Sequence, residues 1–142
     1  MDTYLLYLMA QASAAVSQTF HDTLERQGIP VSKWRILASL FPDKKLNVGQ
    51  LARRCLAKQP TLTRQLDKTC ADGLTMRLTE DGDRRGVLIC LTAEGRAVAA
   101  DLVTKAREHE ALVMADYSLE DVARLKETLI QLANRAQSTG TL

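Results

Sequence analysis

The sequence predicts a mainly α-helical chain with one small β-hairpin. Two observations lead there. Apolar residues recur every three or four positions along most of the 142 residues, the spacing of amphipathic helices. That period breaks once, between Leu74 and Leu91, where apolar and polar residues alternate and then run together around the charged stretch EDGDRR.

The elements follow in order. Leu5, Met9, Ala12, Val16, Phe20 and Leu24 define a long first helix, and Gly28 with Ile29-Pro30 ends it. Ser32 is placed to cap a second helix through Trp34, Leu37 and Phe41, which Pro42 stops. Asn47 with Gln50 is a capping-box variant and opens a short helix, VGQLARRCL. Pro60 belongs in the first turn of a fourth helix, which exits at Gly73. Leu74, Met76 and Leu78 then alternate with Thr75, Arg77 and Thr79, as in a strand with one wet face. EDGDRR is the turn, and GVLICL returns as a strand apolar enough to be buried. Thr92 with Glu94 opens a long helix toward Ala115. Ser118 with Asp121 opens the last helix, through Val122, Leu125, Leu129 and Leu132, and STGTL is a frayed end.

Composition excludes several classes of function. With 46% apolar and 25% charged residues the chain reads as one soluble globular domain, residues 1–142. No apolar run approaches the ~18 residues of a membrane span. The start, MDTYLLYLMAQASAAV, lacks the basic region of a signal peptide, so a cytoplasmic location without a membrane partner is expected. Cys55, Cys70 and Cys90 are odd in number and form no CxxC, which indicates neither a disulfide framework nor a zinc site. Asp81 and Asp83 have the spacing of a calcium loop, but Arg85 stands at the third ligand position. His21 and His109 are far apart, and no HExxH, GxSxG, P-loop or GxGxxG occurs. Neither an enzyme nor a metal or other cofactor is expected.

Charge is more informative once it is mapped. Between Lys33 and Lys68 there are nine bases and two acids, a local charge of +7; the total of +2 leaves −5 for the rest of the chain. A basic centre between acidic flanks suits an anionic partner. On the fourth helix Leu62, Leu66 and Cys70 share one face at about 100° per residue, with Thr61, Arg64, Gln65 and Lys68 turned away from it. A hydroxyl, an amide and two cations suit a DNA major groove, where Arg bonds guanine and Gln bonds adenine. A solvated polar face is the alternative reading of the same residues.

Helix, helix, short helix, helix, hairpin is the order of a winged helix-turn-helix. The segment from Val48 to Gly95 resembles the DNA-binding core of the MarR family of bacterial regulators. DRRGVLICLTAEG fits that family's wing pattern of D-x-R, five residues, then L-T-x-x-G, while PTLTRQLDK and DGL fit the recognition helix and its exit. Lys58 and Gln59 depart from it where a better helix cap is usual, and so does polar Thr75.

The resemblance implies a winged core at residues 32–92, with dimerisation helices at 3–28 and 93–137. It implies double-stranded DNA as partner, a pseudo-palindromic operator and a homodimer. Gln59, Thr61, Arg64, Gln65 and Lys68 would meet the major groove. The wing would insert Arg85 into the minor groove, with Asp83 fixing its direction and Arg84 on phosphate or solvated; a charged hairpin tip that keeps the chain soluble is the alternative reading. The resemblance further implies a crevice for an anionic aromatic effector, for which His21, Trp34 and Arg35 are the candidates. Each also has a plain reading: Trp34 as core, His21 as helix surface, Arg35 as a phosphate contact. A rival input is a redox cysteine, Cys55, whose pKa the neighbouring Arg53 and Arg54 could lower, although a structural role as a small hydrophobe is the preferred reading of that residue. A winged-helix module that binds an acidic protein instead of DNA is the alternative from a different class.

Overall fold

The computed structural model describes residues 1–79 and 86–140. In chain order its elements are α1 (Leu5–Arg26), α2 (Val31–Leu40), β1 (Leu46–Asn47), α3 (Val48–Arg54), α4 (Gln59–Ala71), β2 (Thr75–Thr79), β3 (Val87–Leu91), α5 (Ala93–Val113) and α6 (Leu119–Ser138). They fall into two compact units, Met1–Arg107 and Glu108–Leu142.

The first unit has two apolar clusters. One gathers Ile36, Leu40, Leu51, Leu62 and Leu66 from α2, α3 and α4 with Ile89 of β3. The other gathers Phe20 and Leu24 of α1 with Leu37, Leu74, Ala99 and Leu102. Adjacent residues Ile36 and Leu37 serve different clusters, so α2 is covered on both sides. Each such side chain contributes about 1.5–3 kcal/mol of transfer free energy.

The sheet is antiparallel in the order β1-β3-β2, which makes β3 the central strand and accounts for its apolar run. Leu46 and Arg77 flank Ile89 from the two sides. The sequence had indicated a hairpin of two strands; β1 is the third.

Three helices end in the same way. After α1, Gly28 (φ 71) donates to the carbonyl of Glu25 and Ile29 to that of Leu24. After α4, Gly73 (φ 74) donates to Cys70 and Leu74 to Thr69. These are Schellman ends with glycine in the left-handed position. After α3 the same bonds form from Leu56 to Arg53 and Ala57 to Ala52, but the left-handed residue is Leu56 (φ 55). The helix expected to reach Leu56 therefore stops at Arg54. The capping box is present as expected: Asn47 Oδ1 accepts from Gln50 N at 2.8 Å, and Asn47 N donates to Gln50 Oε1 at 3.0 Å. Ser118 likewise caps α6, accepting from Asp121 N at 3.1 Å.

Two expectations need correction. Ser32 does not cap α2: the cap is Pro30 (φ −62, ψ 143), whose fixed φ starts the helix before Ser32 is reached. Thr75 is not on a wet face. It is 3% exposed while Met76 is 41% exposed, the reverse of the alternation. The cause is a buried hydroxyl pair, Thr69 Oγ1 to Thr75 Oγ1 at 2.7 Å. Thr69 gives its proton to the Leu66 carbonyl, so Thr75 must donate to Thr69. The Cys70 thiol, 3.2 Å from Thr75, is then the donor in that contact.

The start of α5 is locked to the exit of α4. Thr92 Oγ1 donates to the Gly73 carbonyl at 2.6 Å and accepts from Gly95 N at 3.0 Å, and Thr92 N donates to the Leu74 carbonyl at 3.1 Å. A Cβ on Gly95 would lie 1.8 Å from the Leu74 carbonyl oxygen.

In the second unit Lys126 reaches Glu110 at 2.7 Å. Met114, Tyr117, Leu119 and Val122 line a cleft of about 570 Å³. No described side chain of α6 is buried, and Leu119 is 91% exposed.

Gly95→Ala is expected to destabilise the protein by about 3 kcal/mol or more, because the obstacle is backbone that cannot rotate away. Urea unfolding followed by circular dichroism checks this. A loss under about 1 kcal/mol would mean that α5 can shift to make room.

Candidate nucleic-acid interface

The most strongly patterned surface of the first unit is α4. Lys58 caps it without a side-chain bond, as the sequence had suggested, and Pro60 sits in its first turn. Leu62, Leu66 and Thr69 are buried, which turns Arg64 and Lys68 outward, with Gln59 exposed in the first turn. Thr61 and Gln65 are half-buried at the edges of that face. The structure thus brings together on one helix the five groups expected there.

It also adds a feature the sequence did not reveal. The accessible side of α4 and its C-terminal cap carry two acids, Asp67 and Asp72. Arg77 of β2 bonds Asp67 at 2.6 Å, and Lys33 of α2 bonds Asp72 at 3.2 Å. Arg77 also donates to Cys70 Sγ at 3.4 Å. Arg64 and Lys68 have no ion pair among the described residues. Bases from other elements occupy the helix's own acids and leave its cations without an ion pair among the described residues. No local pattern could have shown this, since Arg77 and Asp67 lie ten positions apart and Lys33 and Asp72 thirty-nine. Asp83, Arg84 and Arg85 lie outside the described residues; the strands that lead to them pair as far as Thr79 and Val87.

The three effector candidates do not converge on one cleft. His21 lines a cleft of about 490 Å³ with Gln18, Glu25, Ile29 and Val31. Trp34 packs instead edge-on against Phe20, ring centroids 5.2 Å apart at 70°, as part of the core. Arg35 acts electrostatically on Cys55. Glu25 is the residue of this cleft that sequence reasoning missed. It lies one turn along α1 from His21, a spacing that could have flagged it.

Cys55 is buried, and burial pushes its thiol above the ordinary range. A contact with Ser39 Oγ at 3.7 Å and the charge of Arg35 oppose that only in part. The possibility that Arg53 and Arg54 lower it is not realised: they lie on the exposed side of the last turn of α3, desolvation dominates, and the burial fits the structural reading of Cys55. Among the described residues no three of His, Cys, Asp or Glu gather as metal ligands. No described helix is long and apolar enough to cross a membrane.

An outward cationic helix beside a three-stranded sheet has the chemistry to suit nucleic acid. The MarR family model matches residues 29–87. The chain is 38% identical to a MarR family transcriptional regulator of Silicibacter pomeroyi DSS-3, over 94% of this chain and 95% of that one, with a TM-score of 0.82. It is 29% identical over 140 residues to the homoprotocatechuate degradative operon repressor of Escherichia coli, covering 96% of this chain and 95% of the repressor. It is 27% identical to NadR, solved in complex with 4-hydroxyphenylacetate, with a TM-score of 0.84 over 92% of this chain and 93% of NadR. Identity of that order along nearly the whole chain, on the same winged helix-turn-helix, establishes that this protein belongs to the MarR family of transcriptional regulators and is a DNA-binding regulator rather than an enzyme.

Proposed function

We propose that the protein is a homodimeric, cytoplasmic repressor that reads a pseudo-palindromic operator and leaves it when a small anionic aromatic molecule binds. The observation that carries the DNA reading is that Arg64 and Lys68 have no ion pair among the described residues, on a helix whose acids are already engaged. Gln59, Thr61 and Gln65 supply hydrogen-bonding groups beside them. Arg85 enters the adjacent minor groove, whose negative potential is strongest where A·T pairs narrow it. Asp83 holds that arginine in direction, and Arg84 meets phosphate.

Dimerisation is supported by apolar surface that each unit leaves uncovered. At the start of α1, Leu5, Leu6, Tyr7 and Leu8 are exposed, as is Tyr4 at its cap, and of the helix's apolar stripe only Phe20 and Leu24 are buried. On α6, Leu125, Leu129, Ile130 and Leu132 are exposed. Patches of this kind mark association surfaces, and a two-fold dimer would present two α4 helices to successive turns of the duplex.

For the effector, the relatives supply the ligand class: NadR was solved with 4-hydroxyphenylacetate, an aromatic carboxylate. The cleft lined by His21 suits such a molecule, with the imidazole meeting the carboxylate and Glu25 accepting from a phenolic hydroxyl. A tenfold loss of DNA affinity needs about 1.4 kcal/mol of preference for the form that does not bind DNA, within reach of one charge-assisted hydrogen bond. The redox alternative is weakened by the burial of Cys55, which pushes its thiol pKa up and disfavours the reactive thiolate.

Arg64→Ala should lower operator affinity by about 1–3 kcal/mol and relax base preference. Lys68→Ala should weaken all sequences alike and reduce the salt slope by about one. Anisotropy titrations at several salt concentrations measure both, and unchanged binding in both would mean that α4 is not the reading helix. In the same assay Arg85→Ala should lose more than Arg84→Ala, and most on duplexes with A·T-rich flanks.

Sedimentation should find a dimer at micromolar concentration; a stable monomer removes the two-fold model. Calorimetry with hydroxyphenylacetates and benzoates should detect a ligand that also releases DNA, with His21→Ala weakening it. If peroxide releases DNA, no acid does, and Cys55→Ser abolishes the response, the cysteine is the sensor.

A further inference from the structure

One cleft of the first unit borders this surface, and its α2 side is not used by this reading. It measures about 310 Å³ and lies between the beginning of α2 and the C-terminal half of α4, lined by Ser32, Lys33, Gln65, Lys68 and Asp72 among others. Its chemistry is unbalanced. Ser32 Oγ, the Gln65 amide and Lys68 Nζ all have protons to give, and none has a hydrogen-bond partner within the described protein. The one acid on the rim, Asp72, is engaged by Lys33 at 3.2 Å, although Lys68 stands one turn away on its own helix. Lys33 and Asp72 are 27% and 53% exposed, so water and an incoming anion can compete for the ammonium group. Four side chains with protons to give around one space, with its one carboxylate already paired to Lys33, describe a seat for an oxyanion with several lone pairs.

The position of the cleft selects the oxyanion. It adjoins Gln65 and Lys68 on the outward side of α4, toward the helix end away from Gln59 and Thr61. Helices docked in a major groove read bases from their first turns, and phosphates are met by flanking groups. A phosphate held beside α4 by the rest of the interface arrives at high effective concentration, which a freely diffusing anion does not.

We propose that this cleft seats a backbone phosphate of the bound DNA, and that Asp72 is its competitor for Lys33. In the free protein Lys33 pairs with Asp72. On DNA it turns to the phosphate, joined by Lys68, Gln65 and Ser32, and Asp72 is left to solvent. Asp72 thereby lowers affinity for every sequence alike, a restraint on nonspecific binding that is separate from base reading. The inference rests on α4 facing DNA.

The test uses the full-length protein and a duplex enriched from random sequence by the wild type, alongside a scrambled duplex. Lys33→Ala should weaken both duplexes about three- to fivefold and lower the salt slope by about one. Asp72→Asn, which keeps a polar cap, should tighten both by about two- to fivefold. In the Lys33→Ala background that gain should fall by at least half. Melting curves establish that each variant is folded. An undiminished gain in the double variant would mean simple removal of a negative charge and overturns the competition. Unchanged affinity and slope in Lys33→Ala, with Arg64→Ala still impaired, overturns the phosphate seat while α4 remains the reading helix. If Arg64→Ala also binds normally, it is the orientation of α4 toward DNA that fails. Inorganic phosphate supplies the last arm. If it raises the melting temperature through Lys33 while DNA binding ignores Lys33, the cleft is a free-anion site and the proposal is wrong.

Discussion

Leu62 and Leu66 have one place to go. Both are packed against Ile36, Leu40, Leu51 and Ile89, and that burial fixes the rotation of α4 about its own axis. Each leucine contributes a few kcal/mol to the packing, roughly 1.5–3 by transfer. An exposed ion pair contributes less than about 1 kcal/mol. The apolar face therefore sets the pose of the helix, and the charges on the other side take the positions it leaves them. Arg64 stands two residues from each leucine, about 200° away around the helix, so its outward direction is a consequence of the core.

A second set of contacts joins that helix to the wing. Protons run in one direction, from Arg77 to Cys70, to Thr75, to Thr69 and on to the Leu66 carbonyl. With the Schellman end at Gly73 and the bonds of Thr92, this ties the last turns of α4 to β2 and to the start of α5. The helix proposed to meet bases and the strand that leads toward Arg84 and Arg85 are held by common bonds.

Most of the fold could be read from the sequence because the signals were local. Caps at Asn47 and Ser118, glycine ends at Gly28 and Gly73, and helical periods all lie within a few residues of what they specify. The misses were tertiary. Two residues of β1 are too few to show a period. Thr75 is buried by a hydroxyl partner six residues away that alternation cannot see. Leu56 takes a left-handed turn that a sequence reader reserves for glycine. The outward face of α4 was legible, since one helix defines it. His21, Trp34 and Arg35 were grouped by chemistry across two helices, and packing sent them to a cleft, a core and a cysteine.

Gly95 belongs to the LTAEG run through which the chain most resembles its family, and what it requires is space. A side chain there would collide with the Leu74 carbonyl. Thr92, in the same run, commits its hydroxyl to two backbone groups and shows nothing to a partner. The signature is thus a record of how two stretches of backbone cross, and it is silent about purpose. Residues that would tell one regulator from another, such as Arg64, His21 and Glu25, stand where no packing rule dictates the side chain. Two chains can agree at every architectural position and still answer to different operators and different molecules.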